Sequence, residues 1–282
     1  NGGVLEIGRE ANLGTAPLTA ATNITLNGGT LRVNSNVGMG VNLGATRLIS
    51  MGASGGSIVN ASSSYGMTIG GAITSAGSVT LTGNNDITFG SITVSNNAPI
   101  LVKFTGNITQ SALSTVQSAG GNITYWSDSD GSGDGTVLVT GGNLTGNTTI
   151  NSGGGNIVMG GGNGSSAAAG FARGYFGVSV QGYSLVQAGT GDITVRGMGN
   201  NATSGWGVLI GGTLSGANVT VVGTGYDNAT ASVGVQIQGH VSASNLVSIT
   251  GTGGGTGTSV VGTGNNEGVR INSATIEATG SG

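Results

Sequence analysis

The sequence predicts an all-β fold, a right-handed parallel β-helix (β-solenoid) of about three short strands per coil and roughly 10–12 coils. Three observations carry this prediction. First, a motif returns four times toward the C-terminal end, as Gly177-Val-Ser-Val180, Gly207-Val-Leu-Ile210, Gly234-Val-Gln-Ile237 and Gly268-Val-Arg-Ile271. Its starts lie 30, 27 and 34 residues apart, a period that signals stacked repeat units. Second, its apolar residues alternate with a position (Ser179, Leu209, Gln236, Arg270) that accepts any chemistry, as expected for the outward side of a strand. Third, a second column follows in the same order. Asp192-Ile-Thr-Val-Arg-Gly197, Asn218-Val-Thr-Val-Val-Gly223 and Leu246-Val-Ser-Ile-Thr-Gly251 are 26 and 28 residues apart, and Thr194, Thr220 and Ser248 face out.

Taken in order, the chain reads as one continuous solenoid over 1–282, with shorter coils over 1–140, an irregular Gly/Ser/Ala-rich insertion over 141–176 and longer coils with loop insertions over 177–282. Near the start, Asn1-Gly-Gly-Val-Leu-Glu-Ile7 and Asn27-Gly-Gly-Thr-Leu-Arg-Val33 match at a spacing of 26. Leu5, Ile7, Leu31 and Val33 are expected in the core, and Glu6 and Arg32 form an outward cross-strand pair. From Ser57 to Gly121 the rhythm tightens, with segments opening at Ser57, Ser78 and Ile100, spaced by 21 and 22. The middle segment shows three strands, Ser78–Thr82, Asp86–Phe89 and Ser91–Val94, which describes a triangular coil. Ser111 to Ser118 is the best candidate for a helix but fits a strand and bend nearly as well. From Gly160 to Gly170 a loop leaves the rod, with Phe171, Tyr175 and Phe176 covering the join. The added residues of the later coils (198–206, 224–233 and 252–267) project from one corner.

Composition narrows the function classes. The 282 residues include 61 Gly, 2 Pro and no Cys, with only 6 % charged residues against 36 % hydrophobic. That balance argues against a charge-expanded disordered chain, and no Gly-X-Y period suggests collagen. A net charge of −3 offers no basic footprint for nucleic acid or for a membrane surface. No apolar run reaches the roughly 18 residues of a membrane span, so membrane insertion is not expected. Both ends fall inside repeat-like sequence, from which the chain is expected to be a fragment of a longer repeat protein.

The sharpest polar constellation is Asp128-Ser-Asp130-Gly-Ser-Gly-Asp134-Gly. Alternate carboxylates on a Gly-rich backbone suit Ca²⁺, which takes several oxygens on a sharp turn, although no Glu follows at the bidentate position. The other reading is an Asp/Gly/Ser turn whose carboxylates bond the local backbone. Asp128, Asp130 and Asp134 are therefore the candidate metal ligands, calcium is the one candidate cofactor, and no catalytic set is expected. His240 is the only histidine and has no nucleophile elbow beside it; a surface position at a strand edge is expected. Ten Asn-x-Ser/Thr sequons occur, among them Asn107, Asn122, Asn201, Asn218 and Asn228. Several open a strand, where a glycan would crowd the next coil. Outward Thr columns (Thr80, Thr88, Thr93, Thr194, Thr220) are compatible with an ice-binding face, but Arg196, Phe104 and the insertions interrupt them.

Three stretches resemble a known family. Gly234 to Gly251 with Thr252 to Val269, and Ile123-Thr-Tyr-Trp-Ser-Asp-Ser-Asp-Gly-Ser-Gly-Asp134, are similar to repeats of filamentous-haemagglutinin-like bacterial exoproteins. The Asn-Gly-Gly-x-Leu-x-Val/Ile start resembles autotransporter-associated strand repeats. The resemblance implies a right-handed parallel β-helix secreted across a Gram-negative outer membrane to the cell surface, often adhesive. The expected function is a structural and adhesive rod, not an enzyme. Its partners are other repeats or copies of itself, or a host-cell or matrix glycan or protein. A β-helix polysaccharide lyase or hydrolase, and an ice-binding solenoid, are the alternatives. The lyase would need clustered acidic and basic residues in a cleft, and the seven basic residues are scattered.

Overall fold

The computed structural model describes residues 2–35, 40–166, 170–200, 205–227, 232–254 and 266–280. Among them there is no α-helix, only one 3-10 turn (Glu10–Leu13), and the remaining regular structure is parallel β-strand. The strands stack into three ladders, and the chain passes through the three faces in a fixed order. Face A opens with Val4–Ile7 and continues through Thr30–Val33, Gly56–Asn60 and Val79–Gly83 to Ile193–Gly199. Face B runs from Val41–Leu43 to Val269–Ile271, and face C from Ala21–Leu26 to Thr275–Ala278. This is a parallel β-helix of triangular section, as the sequence predicts. The region over Ser111–Ser118 forms a strand, Thr115–Gln117, because Val116 inserts into the core and leaves no helical face to bury.

The core is built by columns, and one column carries the whole architecture. On face A the inward side chains Leu5, Leu31, Ile58, Leu81, Val102, Tyr125, Met159, Val195, Val221 and Ile249 are paired rung to rung through ten rungs. The eight from Leu31 to Val221 are at most 1 % exposed. Leu5, expected in the core, is 55 % exposed because it has a neighbouring rung on one side only. A strand side chain in a solenoid is shielded by the coils above and below, so stability comes from stacking and no coil buries its face alone.

The registers refine the sequence reading. Glu6 pairs with Arg32 as expected, their side chains 3.5 Å apart and about half exposed. In the tight region the pairings are Ser57 with Thr80 and Val79 with Ile100, so the offsets are 23 and 21 and not 21 and 22. The Ser that opens the middle segment lies in the bend before its strand. Inside the stretch 141–176, Thr148–Asn151 and Ile157–Gly161 continue faces C and A. On face B all four motif copies stack in register. The column Ser179, Leu209, Gln236, Arg270 points away from the core, yet Ser179 and Gln236 are each only 3 % exposed. Ser179 lies between Leu138 and Leu209, and Gln236 between Leu209 and Arg270, so larger neighbours one rung away shade both.

In the last coils the corner between faces C and A disappears. Thr213–Thr224 and His240–Thr252 each run through both faces, with a register shift between Gly216 and Asn218 in place of a bend. The corner between faces A and B does the opposite and carries the insertions. The chain leaves face A at Ser127, Gly161, Gly199, Thr224 and Thr252 and next enters face B at Val137, Phe176, Trp206, Val235 and Val269. The flanking strands thus place these connections at the A–B corner. Parts of the expected insertions (201–204, 228–231 and 255–265), and with them most of the resemblance over Thr252 to Val269, lie outside the described residues.

Candidate functional site

The acidic loop is the first insertion at the A–B corner. Face A delivers Trp126 and Ser127 to the rim of the rod, where the Trp126 indole donates to the Gly162 carbonyl (2.7 Å) and Lys103 sits 3.7 Å over its ring. The Ser127 hydroxyl donates to the Gly135 carbonyl and closes the loop at its base. Asp128 follows in a left-handed conformation (φ 47°) and is fully buried. Its Oδ1 accepts from the Gly133 amide (2.9 Å) and the Ser132 hydroxyl (3.3 Å); its Oδ2 has no hydrogen-bond partner and lies 3.8 Å from Arg173 Nε. Asp130 accepts from the Ser132 amide and is exposed, as is Asp134.

The three aspartates therefore do different things. Asp128 turns inward and holds the loop, and the other two face solvent. Among the described residues no three His, Cys, Asp or Glu side chains gather in a way that would hold a metal ion. The arrangement is that of an Asx-type turn with one buried carboxylate, and the neighbouring guanidinium disfavours a cation at the same oxygen. The loop is also tied to the next insertion. Gly135 and Arg173 exchange both backbone hydrogen bonds (2.6 and 2.9 Å), and Asn200 Nδ2 donates to the Gly133 carbonyl.

Below the loop an aromatic strip covers the place where the chain rejoins face B. Tyr175 packs on Phe176, and Phe176 on Trp206 one rung further, at 4.7 and 5.3 Å between ring centres, both edge-to-face. Arg196 lies 4.6 Å over Phe171 and Arg270 lies 5.8 Å over Trp206. This matches the expectation for Phe171, Tyr175 and Phe176. These contacts fasten the inserted corner.

The strand-opening asparagines form a ladder. The Asn122 side chain accepts from the Asn156 amide, Asn156 from the Asp192 amide, and Asp192 from the Asn218 amide and side chain, at 2.7 to 3.1 Å. Asp86 and Asn107 repeat this on the earlier coils. The Asn107, Asn122 and Asn218 sequons are thus rung-to-rung hydrogen-bonding positions; Asn201 and Asn228 lie outside the described residues.

The opposite corner, where face B passes to face C, holds a groove of about 390 Å³ that composition did not reveal. His240 stands on its rim, its Nε2 3.0 Å from Glu277 Oε1 on the next rung. The carboxylate partner of the single histidine thus comes from 37 residues away, which no local motif could show. The missed signal was the recurrence of Gly211-Gly-Thr213 as Gln238-Gly-His240 at a spacing of 27, which carries two glycines into one column.

No family model, no curated protein and no solved structure matches this chain.

Proposed function

We propose that this chain is a structural and adhesive rod, part of a secreted bacterial surface or fibre-forming exoprotein that serves cell-surface adhesion or extracellular matrix assembly. The observation that carries the reading is the ten-rung apolar column from Leu5 to Ile249. It commits the interior to length and leaves specificity to loops and corners. At about 4.8 Å per rung, nine rung intervals span ~43 Å. The inserted corner favours a display role, because successive loops are tied to one another at one edge of a rigid ladder. The resemblance of Ile123–Asp134 to filamentous-haemagglutinin-like repeats points the same way. We read the chain as non-catalytic and without a resident cofactor, since its buried carboxylate is engaged with the backbone and faces Arg173. Self-association is part of the proposal. Val269 and Ile271 are 39 % and 59 % exposed on the last face B strand, and a further rung from the same polypeptide or a second copy would cover them.

Two measurements test the reading together. Small-angle scattering of the purified chain is expected to give an elongated particle. Beads coated with the chain are expected to be retained on cultured epithelial cells or on extracellular matrix above albumin-coated controls. A compact sphere, or retention no better than albumin on both surfaces, sinks it.

A further inference from the structure

We infer that the groove at the B–C corner is a binding site for a neutral, linear oligosaccharide laid along the axis of the rod. The inference deepens the adhesive reading, on which it rests, by naming the chemistry of the partner. The groove follows from register. Thr149 pairs with Leu185, Leu185 with Thr213, Thr213 with His240, and His240 with Thr275, so equivalent corner positions of five successive rungs line up. Four intervals of about 4.8 Å make a track of ~19 Å. This advance per rung is close to that of one pyranose unit in an extended glycan. Gly211, Gly212 and Gly239 form the floor, and glycine is required at 212 because a Cβ there would stand 2.5 Å from the Ser184 carbonyl oxygen.

Two features indicate what the track would hold. Tyr183 stands at the groove, 53 % exposed, and holds a left-handed backbone (φ 58°) that a bulky residue adopts only at a cost. Its exposed ring is the kind of surface on which the apolar face of a sugar stacks. Lastly, Thr213 and Gln238 add hydroxyl and amide groups that donate and accept, while His240, the one ionisable group there besides Tyr183, faces Glu277. The lining thus favours a ligand rich in hydroxyls and without net charge. A peptide fits less well. The groove crosses the strands, whose amides and carbonyls are already spent on the rung-to-rung ladder, so no open strand edge is offered to it.

The test uses the whole chain and three probes, cellohexaose, mannohexaose and chitohexaose, by isothermal titration. At least one is expected to bind. Thr213→Val is expected to weaken that binding ~5-fold, the worth of one neutral hydrogen bond of about 1 kcal/mol. Tyr183→Gly is expected to weaken it at least ~10-fold while leaving the melting temperature unchanged or higher, since glycine accepts the left-handed backbone freely. Absence of binding to all three probes by the folded chain overturns the inference. So does affinity within twofold of the parent in both variants, a preference for a sulfated hexasaccharide, or displacement of the bound probe by an unstructured peptide. The two readings fail separately. If the probes do not bind but coated beads are still retained, only the groove falls. If a probe binds through Tyr183 and Thr213 while the beads do not adhere, the groove stands and the adhesive reading falls.

Discussion

At the scale of single residues, polar groups inside the rod define its particular shape more than its apolar ones do. Arg47 is fully buried at the head of Arg47–Met51, where it donates to Glu10, to the Leu13 and Gly14 carbonyls and to Asn23. It binds the segment around the 3-10 turn to face C. Tyr125 occupies the face A core column, edge-on to Phe89 at 5.6 Å, and its hydroxyl donates to Gln110 Oε1 at 2.9 Å. Gln110, itself fully buried, passes the connection on to the Thr149 carbonyl. Burial pushes the Tyr125 phenol well above its ordinary value near 10. A folded-state value above the unfolded one means a contribution that is complete below about pH 10 and is lost as pH rises toward the folded value. Tyr125→Phe leaves Gln110 Oε1 without its donor and is expected to cost about 1–2 kcal/mol at pH 7 in urea unfolding. Because the parent alone loses the phenol contribution, the difference between the two is expected to shrink between pH 10 and 11; a difference independent of pH would refute this account.

At the scale of the strand and its corner, glycine decides where faces A and B can meet. Each face A strand of the later coils carries, one or two residues before its end, a glycine (Gly197, Gly223, Gly251) that lies against the glycine opening a face B motif (Gly207, Gly234, Gly268). A Cβ on Gly223 would overlap the Gly234 carbonyl oxygen, which is backbone and cannot turn aside. The recurrent Gly of Gly-Val-x-Ile is therefore a packing requirement between two sheets. Gly223→Ala is expected to lower stability by about 1–3 kcal/mol, in the range of overpacked core sites, whereas Gly3→Ala, which would meet nothing within 4 Å, is expected to stay within about 0.5 kcal/mol. Thermal and urea melts of the two variants make the comparison; equal effects would show that the corner yields.

At the scale of the molecule, the repeat should be modular because each rung contacts mainly its neighbours. Val79 pairs with Ile100, so residues 79–99 make up one complete coil. Their removal brings Ile100 to the place of Val79, Ile108 to that of Ile87 and Val116 to that of Ile92, with every inward position still filled by an apolar side chain apart from Gln110 replacing Phe89 and Ser118 replacing Val94. The shortened chain is expected to melt cooperatively and to lose ~4.8 Å in maximum dimension by small-angle scattering. Removal of 79–88 alone breaks the order of faces and is expected to abolish the cooperative transition. If both deletions behave alike, the ladder is not modular in this sense.

How much of this was legible beforehand follows from the range of each interaction. Alternation in Gly234-Val-Gln-Ile237 is a local property of a strand, and its return every 26 to 34 residues is a property of the string. The solenoid, its three faces and the Glu6–Arg32 pair could therefore be read directly from the residues. The direction taken by Asp128 could not, because its burial depends on Arg173, 45 positions away, and on a left-handed turn that the sequence allows but does not compel. The same holds for the shading of Gln236 by Leu209 and Arg270, for the meeting of His240 with Glu277, and for the groove itself. The pattern of side chains along a strand determines that the chain coils; only the register of one coil on the next decides which side chains become neighbours, because neighbours across rungs are set by loop length as well as by residue type.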